Sequence, residues 1–399
     1  MIIGIDASRA TVREKTGTEW YSQYIIEHLV LRHPEVTFWL YSKEPLGPPL
    51  SGLLGPRVVN KVLQWPAALL WSQLRLSLEM LWRRPDVLFV PAHTIPLIHP
   101  RATVTTCHDA GFEAFPELYG QTPIGPRRGW QRTLVSLLVR LVTLGRYGNS
   151  ELDYHRFSMR LALRRAARVI TVSRFSRDEF VRSYGADPNR FTIIPHGATP
   201  TSAGERHAGK SAPARSGLTR PYILSIGRLE RKKNVAGALS TYGLLQRRLR
   251  DAPDFVLVGK AGVGFDEIQR ALNAVPHPER VHQLSWVPAD DLESLWRDAR
   301  AFFFPSFYEG FGMPVLDAFR HGVPVVASNI GALREVSGDA ALLADPNDHQ
   351  QLAEHLYRVL TDDALRHQLR ERGTRQAAHF PDWDTVADQT FRVLTRAAG

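Results

Sequence analysis

Short apolar, β-branched runs alternate with stretches of helical periodicity along most of the chain, and they do so in two series. The first comprises Ile2–Asp6, Val36–Tyr41, Val87–Pro91, Thr103–Cys107, Val169–Val172 and Phe191–Pro195. The second comprises Tyr222–Gly227, Phe255–Gly259, Val281–Leu284, Ala301–Pro305, Val323–Ala327 and Ala341–Ala344. Such alternation predicts parallel sheets covered by helices, and two series predict two doubly wound α/β domains. Between them, residues 200–220 are rich in Ser, Ala, Gly and Pro without apolar periodicity, which reads as a linker or exposed loop. After Ala344 the pattern is helical through Ala398. The expected organisation is a first domain over 1–199, a second over 221–380, and a terminal helix over 381–399 that returns to the first.

Length and composition agree with this layout. A chain of 399 residues with 44% apolar and 23% charged positions is too apolar for a disordered protein and long enough for two or three cores. The single cysteine, Cys107, excludes an internal disulfide. Met1–Asp6 lacks the opening of a secretory signal, so a cytoplasmic protein is expected. The apolar stretches Trp65–Trp82 and Leu134–Leu144 are broken by polar residues such as Gln73, Arg75, Glu79 and Arg140 and fall short of a membrane span.

Charge changes the picture in one place. The net charge is +10, and residues 120–182 alone hold 13 Lys and Arg against 4 Asp and Glu. These positives are arginines interleaved with Trp130, Leu134, Leu137, Leu138 and Leu141 at helical spacing. That pattern fits a helix lying on an anionic membrane surface or a partner better than a nucleic-acid site. An arginine-rich solvated helix on the first domain is the plainer alternative.

Two short motifs mislead. Gly204–Ser211 fits the phosphate-loop pattern G-x-x-x-x-G-K-S, but no strand precedes it and no helix follows, so it is read as chance. Asp382-Trp383-Asp384 could hold a divalent cation, but with no strand to position it a helix cap is the better reading. The sequence offers no metal-ligand cluster and no serine-nucleophile motif.

The chemistry concentrates after two strands of the second series. Ser306–Ala318 follows the run Ala301–Pro305, and Pro314 suits the first turn of a helix. The amides of Phe311, Gly312 and Met313 would point out of that helix start toward an anion or hydroxyls, with Glu309 at the strand's carboxyl edge and Asp317 one turn beyond Pro314. Taken alone, the same residues also describe a turn with a capping acid. Ile226–Asn234 opens the domain, and there Arg228 offers a fork and Lys233 a compact charge. Alone they also read as a solvated basic turn. Together the two segments would hold a diphosphate without a metal ion.

The run Glu309–Ala318, continued through Gly322–Ser328, resembles the signature of the family 4 glycosyltransferases, retaining enzymes of the GT-B fold. The resemblance extends to Gly17-Thr18 in the loop after the first strand, His108-Asp109 at a strand end, Val172–Ser176 at a helix start, Ile194–Gly197 at the close of the first domain, and Gly227–Asn234. It implies two Rossmann-like domains facing each other across a cleft. It also implies transfer of a hexose, with mannose from GDP-mannose the preferred donor, to a glycan or lipid-linked acceptor. Arg228 and Lys233 would bind the donor diphosphate and stabilise its charge as the glycosidic bond breaks. Glu309 and the amides of Phe311, Gly312 and Met313 would hold the donor sugar. His108 would face the reaction centre, Gly17 and Thr18 would close over the phosphates, and Val287 joins the donor-binding set. No cofactor and no nucleic acid are called for.

The chain departs from that family pattern in three places. Asp317 stands where a second glutamate usually meets the donor ribose, Gly17-Thr18-Glu19-Trp20-Tyr21 stands where a more glycine-rich or basic loop is usual, and His196 replaces the usual asparagine. The alternatives are a sugar-nucleotide epimerase of the same fold, or a non-catalytic protein that binds lipid or nucleic acid and keeps a vestigial sugar site.

Overall fold

The computed structural model describes the chain except residues 13–14, 66–69, 121, 124–132, 134–136, 138, 142–144, 146, 149, 199–217 and 286. The phosphate-loop-like Gly204–Ser211, most of the linker, and Trp130, Leu134 and Leu138 of the basic segment therefore lie outside the described residues. The chain divides into two units, Met1–Gly197 with Pro381–Gly399, and Ala198–Phe380.

The first unit is a seven-stranded parallel sheet of β1 (Ile2–Asp6), β2 (Thr37–Ser42), β3 (Val58–Val62), β4 (Val87–Val90), β5 (Thr103–Cys107), β6 (Arg168–Thr171) and β7 (Phe191–Ile193), in the order β3-β2-β1-β4-β5-β6-β7. β1 is central: Ile5 pairs with Leu40 on one side and Phe89 on the other, and all three are fully buried. Strands covered on both faces read as unbroken apolar runs, which is why most of them stand out in the sequence. β3 does not, because it is an edge strand carrying Asn60 and Lys61. Asn60 nevertheless fixes that edge, donating to the Leu40 carbonyl (3.0 Å) and accepting from the Leu46 amide (3.1 Å).

Gly17 and Thr18, expected in a loop, are the first residues of the helix Gly17–Arg32. The reason is Glu19, whose carboxylate reaches back to the Thr16 amide (3.1 Å) and hydroxyl. This arrangement satisfies a helix-start donor and takes the place of a flexible glycine loop.

The helix Trp383–Ala398 completes the first unit. Asp382 caps it by accepting from the Thr385 amide (2.8 Å), and Asp384 lies 2.7 Å from His28 Nδ1, so both acids of the Asp-x-Asp pair are spent on structure. Trp383, 2% exposed, packs beside Tyr21 and Tyr24. A Cβ at Gly197 would stand 2.5 Å from the indole, so only glycine lets the chain pass there.

The second unit is a six-stranded parallel sheet of β8 (Tyr222–Ile226), β9 (Asp254–Val258), β10 (Val281–Leu284), β11 (Ala299–Phe304), β12 (Val325–Ser328) and β13 (Ala341–Ala344), in the order β10-β9-β8-β11-β12-β13. Phe302, Phe303 and Phe304 are successive and all buried, which requires helices on both faces of β11. No helix among the described residues is long and apolar enough to cross a membrane.

Trp383→Ala should destabilise the first domain by about 3–5 kcal/mol, the usual cost of deleting a large buried aromatic. A denaturant midpoint of that domain left unmoved would contradict this packing.

Candidate active site

In an open parallel sheet, ligands bind outside the carboxyl ends of the strands where the strand order reverses. In the second domain that point lies between the adjacent strands β8 and β11, and both sequence motifs emerge there. Gly227, with φ of +148°, turns the chain out of β8. Gly259, with φ of +151°, passes so close that a Cβ on it would meet the Gly227 carbonyl oxygen at 1.9 Å. No side chain fits between the two crossings, and the loop after β8 is held at the strand edge. Gly259 as a partner of the clamp escaped the sequence reading, because a lone glycine after a strand carries no mark of what it meets.

Arg228 is more than half exposed, with Glu230 Oε2 3.7 Å from its Nε. Lys233 ends a short 3-10 turn, Arg231–Lys233, and is followed by Asn234 in the left-handed region at φ 52°. Asn234 is anchored by donating to the Pro346 carbonyl at 2.9 Å. The Lys233 stem runs along Gly227, and its ammonium sits 5.0 Å above the Phe304 ring. The same ammonium lies 2.5 Å from Glu309 Oε1, with the side chains 18% and 10% exposed. The Phe307 amide donates to the Lys232 carbonyl (2.9 Å), so the loops after β8 and β11 are joined by backbone as well as by charge.

Glu309 therefore meets a lysine before it meets any sugar. Beyond it, Gly312 adopts φ of +110° and precedes the helix Met313–Arg320, with Leu333 Cδ2 2.6 Å from where a Cβ would stand. The first amides of such a helix lack carbonyl partners four residues back, and the loop carrying Phe311, Gly312 and Met313 presents that terminus at the sheet edge. Asp317 is half-buried on this helix, and its carbonyl accepts from the backbone and Nδ1 of His321 at 3.1 and 2.7 Å. Val287 is half-buried in the loop between β10 and the helix Ala289–Asp298. Lys233 and Glu309 are thus in contact, Arg228 shares the loop of Lys233, and the candidate amides share the loop of Glu309.

His108, Gly17 and Thr18 belong to the first domain, where Tyr21 connects them. Tyr21 lies one turn into the helix that Gly17 opens, and its ring meets His108 edge-on at 4.7 Å. The His108 Nε2 lies 3.0 Å from the Pro91 carbonyl, which can only accept. Pro91 is therefore its hydrogen-bond partner, while the neighbouring Asp109 accepts from the Gly111 amide at 2.9 Å. Burial holds the His108 pKa below its ordinary value, against the opposing pull of Pro91 and Asp109. The ring is neutral at pH 7 with its proton on Nε2, which leaves Nδ1 as an acceptor for a hydroxyl. His196 stacks on His108 at 5.4 Å with planes 4° apart, and burial, then the neighbouring His108, keeps its pKa well below normal.

Sequence reasoning missed a pocket of about 450 Å³ at the carboxyl ends of β1, β2 and β4 in the first domain. Asp6, Arg9, Lys43, Trp71, Tyr154 and His155 line it. These residues are scattered over the sequence and share no motif; the signal available was the polar Asp6 and Lys43 at the carboxyl ends of β1 and β2. Burial raises the Asp6 pKa, opposed by hydrogen bonds from Ser8 and by the charges of Arg9 and Lys43. At the pocket wall His155 Nδ1 lies 2.9 Å from His93 Nε2, and its ring stacks on Phe112 at 4.4 Å.

Residues 15–201 match the family model described as Glycosyltransferase Family 4, and residues 210–376 match the one described as Glycosyl transferases group 1. The chain belongs to these glycosyltransferases, and its two parallel-sheet Rossmann-like domains are those of the GT-B fold. O-antigen chain mannosyltransferase B of Escherichia coli is 35% identical over 243 residues, which cover 60% of this chain and 63% of that protein. The serotype-specific mannosyltransferase WbdA of Escherichia coli is 29% identical over 63% of this chain and 30% of its own length. The matches thus span less than two thirds of either relative. Among solved structures WaaG, a glycosyltransferase involved in lipopolysaccharide biosynthesis, superposes with a TM-score of 0.70 at 16% identity over 99% of this chain and 100% of its own, a likeness of fold.

Burial, then the charge of Arg9, lowers the His155 pKa from 6.5 to about 4, against the opposing Asp109. The unfolded ring takes its proton near pH 6.5 and the folded ring near pH 4, so this contribution to stability is complete above 6.5 and is lost as pH falls. At pH 4 the loss should reach about 3 kcal/mol. His155→Gln should flatten the acid limb of a plot of denaturation midpoint against pH, whereas an unchanged limb would refute the assignment.

Proposed function

We propose that this glycosyltransferase moves mannose from GDP-mannose to a hydroxyl of a glycan or lipid-linked acceptor, with net retention of anomeric configuration and without a metal ion. The observation that carries the reading is the 2.5 Å contact of Lys233 with Glu309 at the edge of β8 and β11. It puts a cation for the diphosphate beside an acceptor for sugar hydroxyls. The preference for mannose is supported by the similar Escherichia coli proteins, which are mannosyltransferases.

In this reading Arg228 forks onto the phosphates, Lys233 adds a second positive charge, and the helix start at Gly312 and Met313 supplies amides. As the bond from the anomeric carbon to the diphosphate oxygen breaks, these groups stabilise the charge that develops on the leaving group. The acceptor oxygen bonds to the same face of the sugar, and its proton passes to the departing diphosphate. Glu309 accepts from sugar hydroxyls and holds the donor ring in place, and in the first domain His108 Nδ1 is an acceptor for a hydroxyl. Asp317 is one methylene short of the glutamate that would reach the ribose directly, so a water completes that contact.

The acceptor takes the pocket bordered by Arg9, Lys43 and Trp71. Residues 120–182 bring the protein to the cytoplasmic face of a membrane, where a lipid-linked acceptor is presented. Exposed Leu137 and Leu141 of that segment support this, at 63% and 72%.

Incubation with GDP-mannose, UDP-glucose and a panel of acceptors, with NMR of the product, is the direct test. Transfer from GDP-mannose with an α-linked product is expected, and an inverted anomer or turnover of UDP-glucose alone would overturn the assignment. Arg228→Ala and Lys233→Ala should each lower kcat/KM by about 10²–10³, as for loss of a charge-stabilising donor, and a chelator should leave the rate unchanged. Lys43→Ala should raise KM for the acceptor severalfold while KM for the donor stays put; the reverse split would remove the acceptor from that pocket.

A further inference from the structure

The sheet of the second domain has a second pocket, at the edge opposite the candidate active site. It measures about 230 Å³ and lies where the helix Ala289–Asp298 ends, β11 and β12 begin, and the helix Asp363–Ala377 passes. Arg297, Arg300, Arg366, Arg370 and His321 line it, against a single carboxylate, Asp298. The length of β11, roughly 15–20 Å, separates it from the loop that bears Glu309.

Part of the wall is fixed. Arg366 donates to the carbonyls of Val359 (3.2 Å) and Leu360 (3.3 Å) and pairs with Asp363. His321 is held at both nitrogens, by the Asp317 carbonyl (2.7 Å) and by Glu293 (2.9 Å). The other three arginines differ. Among the described residues Arg297, Arg300 and Arg370 make no ion pair and no side-chain hydrogen bond, and Arg370 lies against Gly322.

A helix dipole accounts for one of them. Arg297 sits in the last turn of its helix, where a cation is favoured, but Arg300 is on a strand and Arg370 is mid-helix. Arg366 is already paired with Asp363, but exposed Arg297, Arg300 and Arg370 face Asp298 alone, which leaves a net positive charge around the concavity that favours an anion. The volume is below the roughly 300–1,000 Å³ that takes a drug-sized ligand, so the anion is compact. Paired planar forks match a phosphate in particular.

We infer that this pocket is a second phosphate-binding site, distinct from the diphosphate clamp, for a compact phosphate group carried by a free metabolite or by a lipid headgroup. The inference stands on Arg297, Arg300, Arg366 and Arg370 and does not depend on which sugar the enzyme transfers.

The test uses the full chain with the clamp silenced by Arg228→Ala and Lys233→Ala, so that inorganic pyrophosphate has no donor site to enter. Titration calorimetry should then find one pyrophosphate bound per chain. Adding Arg300→Ala and Arg370→Ala should weaken binding at least about tenfold, the scale of one charge-assisted hydrogen bond. Arg300→Lys with Arg370→Lys, which keeps the charge and gives up the forks, should fall between and serves as the folded control. Sedimentation with phosphatidylglycerol vesicles identifies the source. Vesicle binding that pyrophosphate and the alanine pair both weaken assigns a lipid headgroup, and pyrophosphate binding with vesicle binding left unchanged by the alanine pair assigns a free phosphate. No pyrophosphate bound at millimolar concentration, or pyrophosphate binding that survives the alanine pair, would overturn the inference.

Discussion

An ammonium and a carboxylate held 2.5 Å apart with little access to water, as Lys233 and Glu309 are, cannot be placed one at a time. Removing either leaves a charge in a poorly solvated site, which costs far more than the pair returns in stability. The two residues stand 76 positions apart, so their contact ties the loop after β8 to the loop after β11. The arrangement around them follows from that requirement. Gly227 and Gly259 cross without side chains, Asn234 takes a left-handed turn, and Phe307 bonds to Lys232 through the backbone. Each makes the pair reachable.

The first domain is organised by aromatic packing. Tyr21 lies among His108, His196 and Trp383, all within 6 Å of its ring. This explains the departure at residue 196, since an imidazole there stacks flat on His108. It also explains Glu19, which a more glycine-rich loop would lack: the acid caps the helix that carries Tyr21 and lies 3.6 Å from Arg9. The terminal helix belongs to the same design, because its first residue, Trp383, closes the cluster from the far end of the sequence.

Two kinds of positive charge have to be kept apart. Arg228 and Lys233 stand at the carboxyl edge of the second sheet, where loops are free to shape a ligand site. Arg297, Arg300, Arg366 and Arg370 stand at its opposite edge, where helix ends and strand starts leave less freedom and a ligand has to be small. A count of basic residues merges the two. Only their distribution about the sheet separates a donor clamp from an anion pocket.

The sequence by itself determined the two parallel sheets, because strands buried on both faces must be apolar at nearly every position, as Phe302–Phe304 are. It also singled out Arg228, Lys233, Glu309 and the glycine loop before Met313, because those residues form contiguous motifs beside a strand. It did not disclose β3, whose polar Asn60 hides an edge strand, nor that Gly17 begins a helix, which rests on a reciprocal contact of Glu19. Tertiary structure alone decided that Lys233 meets Glu309, that Pro91 holds His108, and that Asp6, Arg9, Lys43 and His155 share a pocket. The reason is physical: apolar periodicity reports how each segment is buried, whereas these contacts join residues far apart in the chain, brought together only by the order in which strands pair.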